Sequence, residues 1–201
     1  GFDDHDSSVL FVSNFNQGRA ELAKASLDEV PIIEYVSNSF NWDITQFVLS
    51  PDRRRGAFVA NEGGISRLYL FDPEKMSYDV VNRIPKGLIA GLRFSPNSKK
   101  LGMTLNSARN PNEAFVLELG RKPLSEKKLT RWTYSEVGGL DTDKFSIPLA
   151  VTFPSSFDGE EKTIPIPAFV YLPEGDGPFP VVIHVHGGPE NQFRPRFNSD
   201  F

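Results

Sequence analysis

One six-residue segment occurs twice in this chain, 45 residues apart, and that repeat narrows the available folds more than any other feature. Phe47-Val-Leu-Ser50-Pro51-Asp52 returns as Leu92-Arg-Phe-Ser95-Pro96-Asn97. A turn and an apolar strand follow each copy, Gly56-Ala-Phe-Val-Ala60 and Leu101-Gly-Met-Thr-Leu105. Next come polar turns, Asn61-Glu-Gly-Gly64 and Asn106-Ser-Ala-Arg-Asn110, and then closing strands, Arg67–Asp72 and Ala114–Leu119. An earlier, partial copy is present. Val9–Ser13 aligns with the second strand of the unit, and Gly18–Leu22 with the turn into the third.

A period in the forties with several short strands per unit predicts β-propeller blades. A small twisted sheet cannot cover both of its own faces, so such sheets stack on one another. The Ser-Pro-Asp/Asn corner suits the tight connection, because Pro presets φ and the Asp or Asn side chain caps the turn backbone. A β-sandwich with accidental similarity is the competing reading. About two and a half blades are visible, whereas closed rings need four or more, so the chain reads as a cut through a larger propeller. Glu21–Leu27 is the best helix candidate, and its place in the repeat argues for a strand.

The texture changes after Leu129. A hairpin is expected from Phe145–Thr152 and Ala168–Leu172, with Asp158-Gly159 in its loop. Pro165 and Pro167 cannot donate to a ladder and mark the second strand as an edge. Then comes Val181-Val-Ile-His184-Val185, apolar apart from His184 and bounded by Pro and Gly. Such a run suits a strand buried on both faces of a mainly parallel sheet. It leads directly into His186-Gly187-Gly188-Pro189-Glu190.

Composition sets limits. The 201 residues contain no Cys, which excludes disulfides and thiolate metal sites. Net charge is −4, and the only run of three cations is Arg53-Arg54-Arg55. Between Pro51-Asp52 and Gly56 it reads as a solvated turn, so no nucleic-acid partner is expected. No apolar run reaches the length of a membrane-spanning helix, and no membrane partner is expected. Asp3-Asp4-His5-Asp6 reads as a solvated end or a blade turn.

Ser-Pro-Asp repeats, a Phe-Asp-Gly hairpin and then Pro180-Val-Val-Ile-His184-Val-His186-Gly-Gly-Pro-Glu190 resemble the prolyl oligopeptidase family of serine peptidases. The His-Gly-Gly-Pro form, together with Leu129–Leu140, is most similar to its acylaminoacyl-peptidase/dipeptidyl-peptidase-like branch. The resemblance is specific from Trp132 to Phe197 and diffuse over the blades. It implies a mostly β fragment, with β-propeller blades in residues 1–131 and the first strands of an α/β-hydrolase domain in residues 132–201. It also implies hydrolysis of short peptides by a Ser-His-Asp triad and needs no cofactor. The propeller would gate access. Expected partners are a short peptide substrate, the remainder of the hydrolase domain in the same or a companion chain, and a further copy of the chain in a homo-oligomer.

The chemistry predicted for His186-Gly187-Gly188 is that of half an oxyanion hole. A tetrahedral oxyanion needs preorganised N–H donors, and in α/β-hydrolases one comes from a loop of this kind. Glycine permits the φ values that turn an N–H inward. The Gly188 N–H is the first candidate and Gly187 the second, while His186 orients the loop or donates. Other branches of the family place a Tyr at the His186 position. His184 reads as a packed core residue, and a His184/His186 metal site lacks an evident third ligand. Glu160-Glu161 lies in the hairpin loop, away from the propeller, and is not assigned to substrate binding. Arg194-Pro-Arg196 is expected to lead toward the first helix of the hydrolase domain.

No Gly-x-Ser-x-Gly nucleophile elbow is present. Gly64-Ile-Ser66-Arg-Leu68 lacks the final Gly and falls in a blade turn. The triad members are therefore expected outside these residues, and the isolated chain is expected to be inactive. Two other functions fit the same residues: a non-catalytic, propeller-derived binding module, and an esterase on the same scaffold.

Overall fold

The computed structural model describes residues 1–36, 40–155, 163–188 and 190–198. The Asp158-Gly159 loop, Glu160-Glu161 and Pro189 lie outside the described residues. The architecture is almost entirely β, with neighbouring strands antiparallel throughout. Strands β1 (Ser8–Ser13), β2 (Glu21–Ser26) and β3 (Ile33–Tyr35) form the first sheet. Strands β4 (Asp43–Leu49), β5 (Gly56–Glu62), β6 (Ile65–Asp72) and β7 (Ser77–Val80) form the second, in sequence order. Strands β8 (Leu88–Phe94), β9 (Lys100–Asn106), β10 (Glu113–Leu119) and β11 (Glu126–Arg131) form the third. These three meanders are propeller-like blades. In the first, Phe2 bridges to Val9 and the Leu10 N–H bonds to the Gly1 carbonyl, so residues 1–2 run beside β1. Glu21–Ser26 is a strand, as its place in the repeat predicts.

The 45-residue period holds at the level of single hydrogen bonds. The Arg53 N–H bonds to the Ser50 carbonyl (2.8 Å), and the Ser98 N–H to the Ser95 carbonyl (2.9 Å). Ser50 Oγ donates to Asp52 Oδ1 (2.6 Å) and accepts from the Arg55 N–H (3.2 Å). Ser95 Oγ does the same with Asn97 Oδ1 (2.8 Å) and the Lys100 N–H (3.0 Å). Arg53 and Ser98 both stand at φ +57°, which closes each turn. The Asp52 N–H also bonds to Ser98 Oγ (3.2 Å), tying one blade's turn to the next.

Blade packing explains why β5 is buried along most of its length instead of alternating. Its side chains alternate between two different cores, because successive residues of a strand face opposite ways. Ala57 and Val59 join Leu68, Leu70, Leu101, Met103 and Leu117 between the second and third blades. Phe58 and Ala60 join Leu10, Leu22, Phe40 and Phe71 between the first and second. Phe58 stacks on Tyr69 (centroids 4.9 Å apart), and Phe40 and Tyr78 stand edge-on to both rings. Full burial of a side chain such as Phe58 contributes roughly 1.5–3 kcal/mol.

Two polar readings are corrected. Arg55 is 7% exposed, not solvated. Its guanidinium crosses to the third blade and donates to the carbonyls of Gly120 (3.0 Å) and Arg121 (3.4 Å). Asp3 is also buried, in a turn. Burial opposes its charge, but hydrogen bonds from the Ser8 hydroxyl, the backbone N–H groups of Ser7 and Ser8 and the Ser7 hydroxyl outweigh that and hold its carboxyl far below the usual range.

The fourth sheet is a hairpin of β12 (Leu149–Ser155) and β13 (Ile164–Val170). Strand β12 starts four residues later, and β13 four residues earlier, than the sequence places them. Pro154 and Pro165 face each other in the ladder, and Pro167 faces Thr152. A two-stranded sheet tolerates this because each strand has a free outer edge.

Between third blade and hairpin, the chain is anchored by Glu113, which is 1% exposed. Its carboxylate accepts from the Ser135 N–H (2.7 Å), Arg131 Nη2 (3.0 Å) and the Thr133 hydroxyl. Burial alone would raise the pKa of Glu113, but these bonds outweigh it and hold the carboxyl below its ordinary 4.5. A depressed native pKa stabilises the fold above the unfolded-state value and loses that contribution as pH falls through the native value. Glu113→Gln is therefore predicted to narrow the stability gap to wild type on titration from neutrality to below pH 4.5. Melting temperatures of both proteins across that range check it; a constant gap would contradict it.

Candidate functional site

The run 181–186 stands outside the four described sheets. It forms no ladder with any described strand, and Val181, Val182, Ile183 and Val185 are 79–91% exposed. A strand of this composition gains nothing by standing alone. It needs backbone partners on both sides and cover on both faces, and the hairpin next to it offers neither. His184 is correspondingly exposed, not a packed core residue, and stands edge-on to Phe193 (6.0 Å).

The glycines that follow are not equivalent. Gly188 stands at φ +78°, a region that L side chains rarely adopt, whereas Gly187 needs no such conformation. A Cβ at Gly187 would meet nothing within 4 Å, and one at Gly188 only Asn191 Cβ at 3.9 Å. Glycine at 188 is thus required by backbone geometry and not by crowding. His186 is exposed, with Nδ1 3.4 Å from the Gly187 carbonyl. The loop sequence places the three predicted residues together.

The extended segment that follows the loop, Asn191–Asn198, docks on the second and third blades. Arg194 Nε donates to the Gly64 carbonyl (3.0 Å), and Arg194 Nη2 to Ser66 Oγ (3.0 Å). Asn61 Nδ2 donates to Gln192 Oε1 (2.8 Å), while Asn61 Oδ1 accepts the Gly64 N–H (3.0 Å). The Phe197 N–H bonds to Asn106 Oδ1 (2.7 Å), and its ring stacks on Phe145 (6.0 Å). The hairpin joins the same contact through Phe169 against Phe193 (6.1 Å). Burial lowers the pKa of Arg194, whose charge is met by neutral oxygens.

Ser66, the centre of the elbow look-alike, is 4% exposed and accepts from Arg194, an environment unlike that of an exposed nucleophile. The blade turn Asn61–Gly64 was legible as a turn. Its role as a ledge for residues 191–198 was not, because the contact spans 130 residues. No local pattern signals such a pairing.

Two cavities flank this segment. A cleft of about 530 Å³ is lined by His184, His186, Arg194, Arg196 and the amides of Asn191 and Gln192, among others. A smaller pocket of about 390 Å³ is walled by Phe145, Tyr171, Pro173 and, again, Arg196. Burial raises the pKa of Tyr171, which keeps its phenol neutral.

No protein-family model matches this chain, and no curated protein does. Solved structures do match. Prolyl oligopeptidase B from Galerina marginata, bound to a 35mer hydrolysis and macrocyclization substrate, aligns at 15% identity with a TM-score of 0.65. It covers 82% of this chain and 22% of that one. The same enzyme without ligand aligns with a TM-score of 0.63, also at 15% identity and the same coverage. A structure from a study of two prolyl endopeptidases aligns at 16% identity with a TM-score of 0.56, covering 81% of this chain and 22% of that one. The chain thus has the fold of part of a prolyl oligopeptidase and spans about a fifth of the length of these neighbours.

Gly64 leaves no room for a side chain at the docking surface. It stands at φ +93°, and a Cβ there would lie 2.9 Å from Phe169 Cε2 and 3.4 Å from the Phe193 carbonyl oxygen. Gly64→Ala is predicted to release residues 191–198 while leaving the blade cores folded. Hydrogen exchange would show faster exchange at Phe197 and unchanged protection in β5 and β9; unchanged exchange at Phe197 would contradict the docking account.

Proposed function

We propose that this chain is part of a serine peptidase of the prolyl oligopeptidase family, from the acylaminoacyl-peptidase/dipeptidyl-peptidase-like branch. On this reading residues 1–131 are the last blades of the propeller, and residues 132–201 are the crossing segment and the start of the α/β-hydrolase domain. The Ser, Asp and His of the triad belong to the remainder of that domain, which also supplies strand partners for Val181–Val185. The observation that carries the reading is the left-handed Gly188 in a His-Gly-Gly loop, held against propeller-like blades by the segment behind it. The shared fold with prolyl oligopeptidases supports it.

The chemistry follows from the loop. As the nucleophile attacks a peptide carbonyl, negative charge collects on the oxygen. The Gly188 N–H, with that of Gly187 behind it, donates to this oxygen, and the donor does not have to reorganise during the step. His186, beside the Gly187 carbonyl, keeps the loop in that orientation. Peptide substrates reach the loop past the blades, which restrict access to short chains.

The test is kinetic and uses the full-length protein. Losing one oxyanion donor lowers kcat about 100- to 1,000-fold with little change in KM. Gly188→Ala, which places a Cβ on a backbone at φ +78° and turns the N–H away, is predicted to do this on a short peptide substrate. An unchanged kcat would remove Gly188 from the mechanism.

A further inference from the structure

The cleft beside the His-Gly-Gly loop has a one-sided chemistry. Two imidazoles, His184 and His186, and two guanidiniums, Arg194 and Arg196, line it with the side-chain amides of Asn191 and Gln192. No carboxylate is among its described lining residues. The two arginines differ in what they already hold. Arg194 is committed to Gly64 and Ser66 of the blade turn. Arg196 is exposed and makes no hydrogen bond or ion pair with another described residue. It is also shared with the neighbouring pocket, whose walls are Phe145, Tyr171, Pro173 and Ala108. Arg196 therefore stands where a cationic cleft meets an apolar one, on a backbone flanked by the docked Arg194 side chain and the Phe197 N–H.

We infer that Arg196 is the anchor of a carboxylate-recognition subsite, which takes a peptide substrate by a carboxylate in the cleft and by the adjacent apolar side chain in the Phe145–Tyr171 pocket. This rests on the hydrolase reading for its catalytic meaning, because the cleft adjoins the proposed oxyanion loop. A planar guanidinium meets a carboxylate with two parallel hydrogen bonds, and the histidines and amides add donors around it. The carboxylate comes either from the end of a peptide or from an acidic side chain.

Binding to the full-length protein by isothermal titration tests the subsite without requiring turnover. The probes are N-acetylphenylalanine, its carboxamide, N-acetylglycine and the α-amide of N-acetylglutamic acid. A charge-assisted pair predicts that N-acetylphenylalanine binds at least about tenfold tighter than its carboxamide. N-Acetylglycine, which leaves the apolar pocket empty, is expected to bind more weakly than N-acetylphenylalanine. Arg196→Gln is expected to bring the acid-to-amide ratio close to one, while Arg196→Lys, which keeps the charge, is expected to retain part of the preference. Tight binding of the glutamic acid amide assigns the subsite to acidic side chains, and weak binding assigns it to a chain terminus. Equal affinity of acid and amide in the wild type, or a ratio that survives Arg196→Gln, overturns the inference. A protein that keeps the acid preference but hydrolyses no peptide keeps the subsite and loses the hydrolase reading. One that hydrolyses peptides but shows no preference loses the subsite alone.

Discussion

Strand β5 sends Ala57 and Val59 into one core and Phe58 and Ala60 into the other, and the placement of the neighbouring sheets follows from covering both faces. The first blade closes the aromatic side, where Phe40, Phe58, Tyr69 and Tyr78 pack their rings mostly edge to face. The third closes the aliphatic side with Leu101, Met103 and Leu117. The Ser50 turn fixes β4 against β5 in the second blade and the Ser95 turn fixes β8 against β9 in the third, and the Asp52-to-Ser98 hydrogen bond and the Arg55 clamp lock these adjacent blades together. Hydrophobic burial provides the stability, and the turn chemistry determines which arrangement is stabilised.

The same blades carry the candidate site. The Asn61–Gly64 turn at the end of β5 receives Arg194 and Gln192, while Asn106 at the end of β9 receives Phe197. The segment behind the His-Gly-Gly loop is thus held by contacts to the edge of the blades. On the proposed reading, propeller and catalytic loop are mechanically joined at this edge. The second blade, the hairpin and the docked segment meet at Gly64, where Phe169 and the Phe193 carbonyl leave no room for a side chain.

The blades were legible because their turns are written in local residue types. Ser, Pro and Asp or Asn at fixed offsets specify a connection with little help from distant parts of the chain, and strand order follows. Arg55 was misread for the converse reason: a run of three arginines beside a turn looks solvated, and only the third blade, 65 residues on, shows that one of them is buried. Val181–Val185 was legible as a strand by composition alone, but the described residues give it neither a ladder nor cover, and His184 stands exposed with it. In the site, Gly188 was legible, since a His-Gly-Gly turn implies a glycine of positive φ. The Gly64 ledge, the Arg194 clamp and the place of Arg196 between two cavities were not, because each acquires meaning only from residues far away in sequence.

The central claim is that these residues belong to a serine hydrolase whose nucleophile lies elsewhere in the protein. Mass spectrometry of the full-length denatured polypeptide, before and after treatment with a serine-directed fluorophosphonate, tests it most directly. The account predicts a chain longer than these 201 residues that gains the mass of one phosphonyl group. A polypeptide of only these residues, or a longer one that gains no adduct, would contradict it.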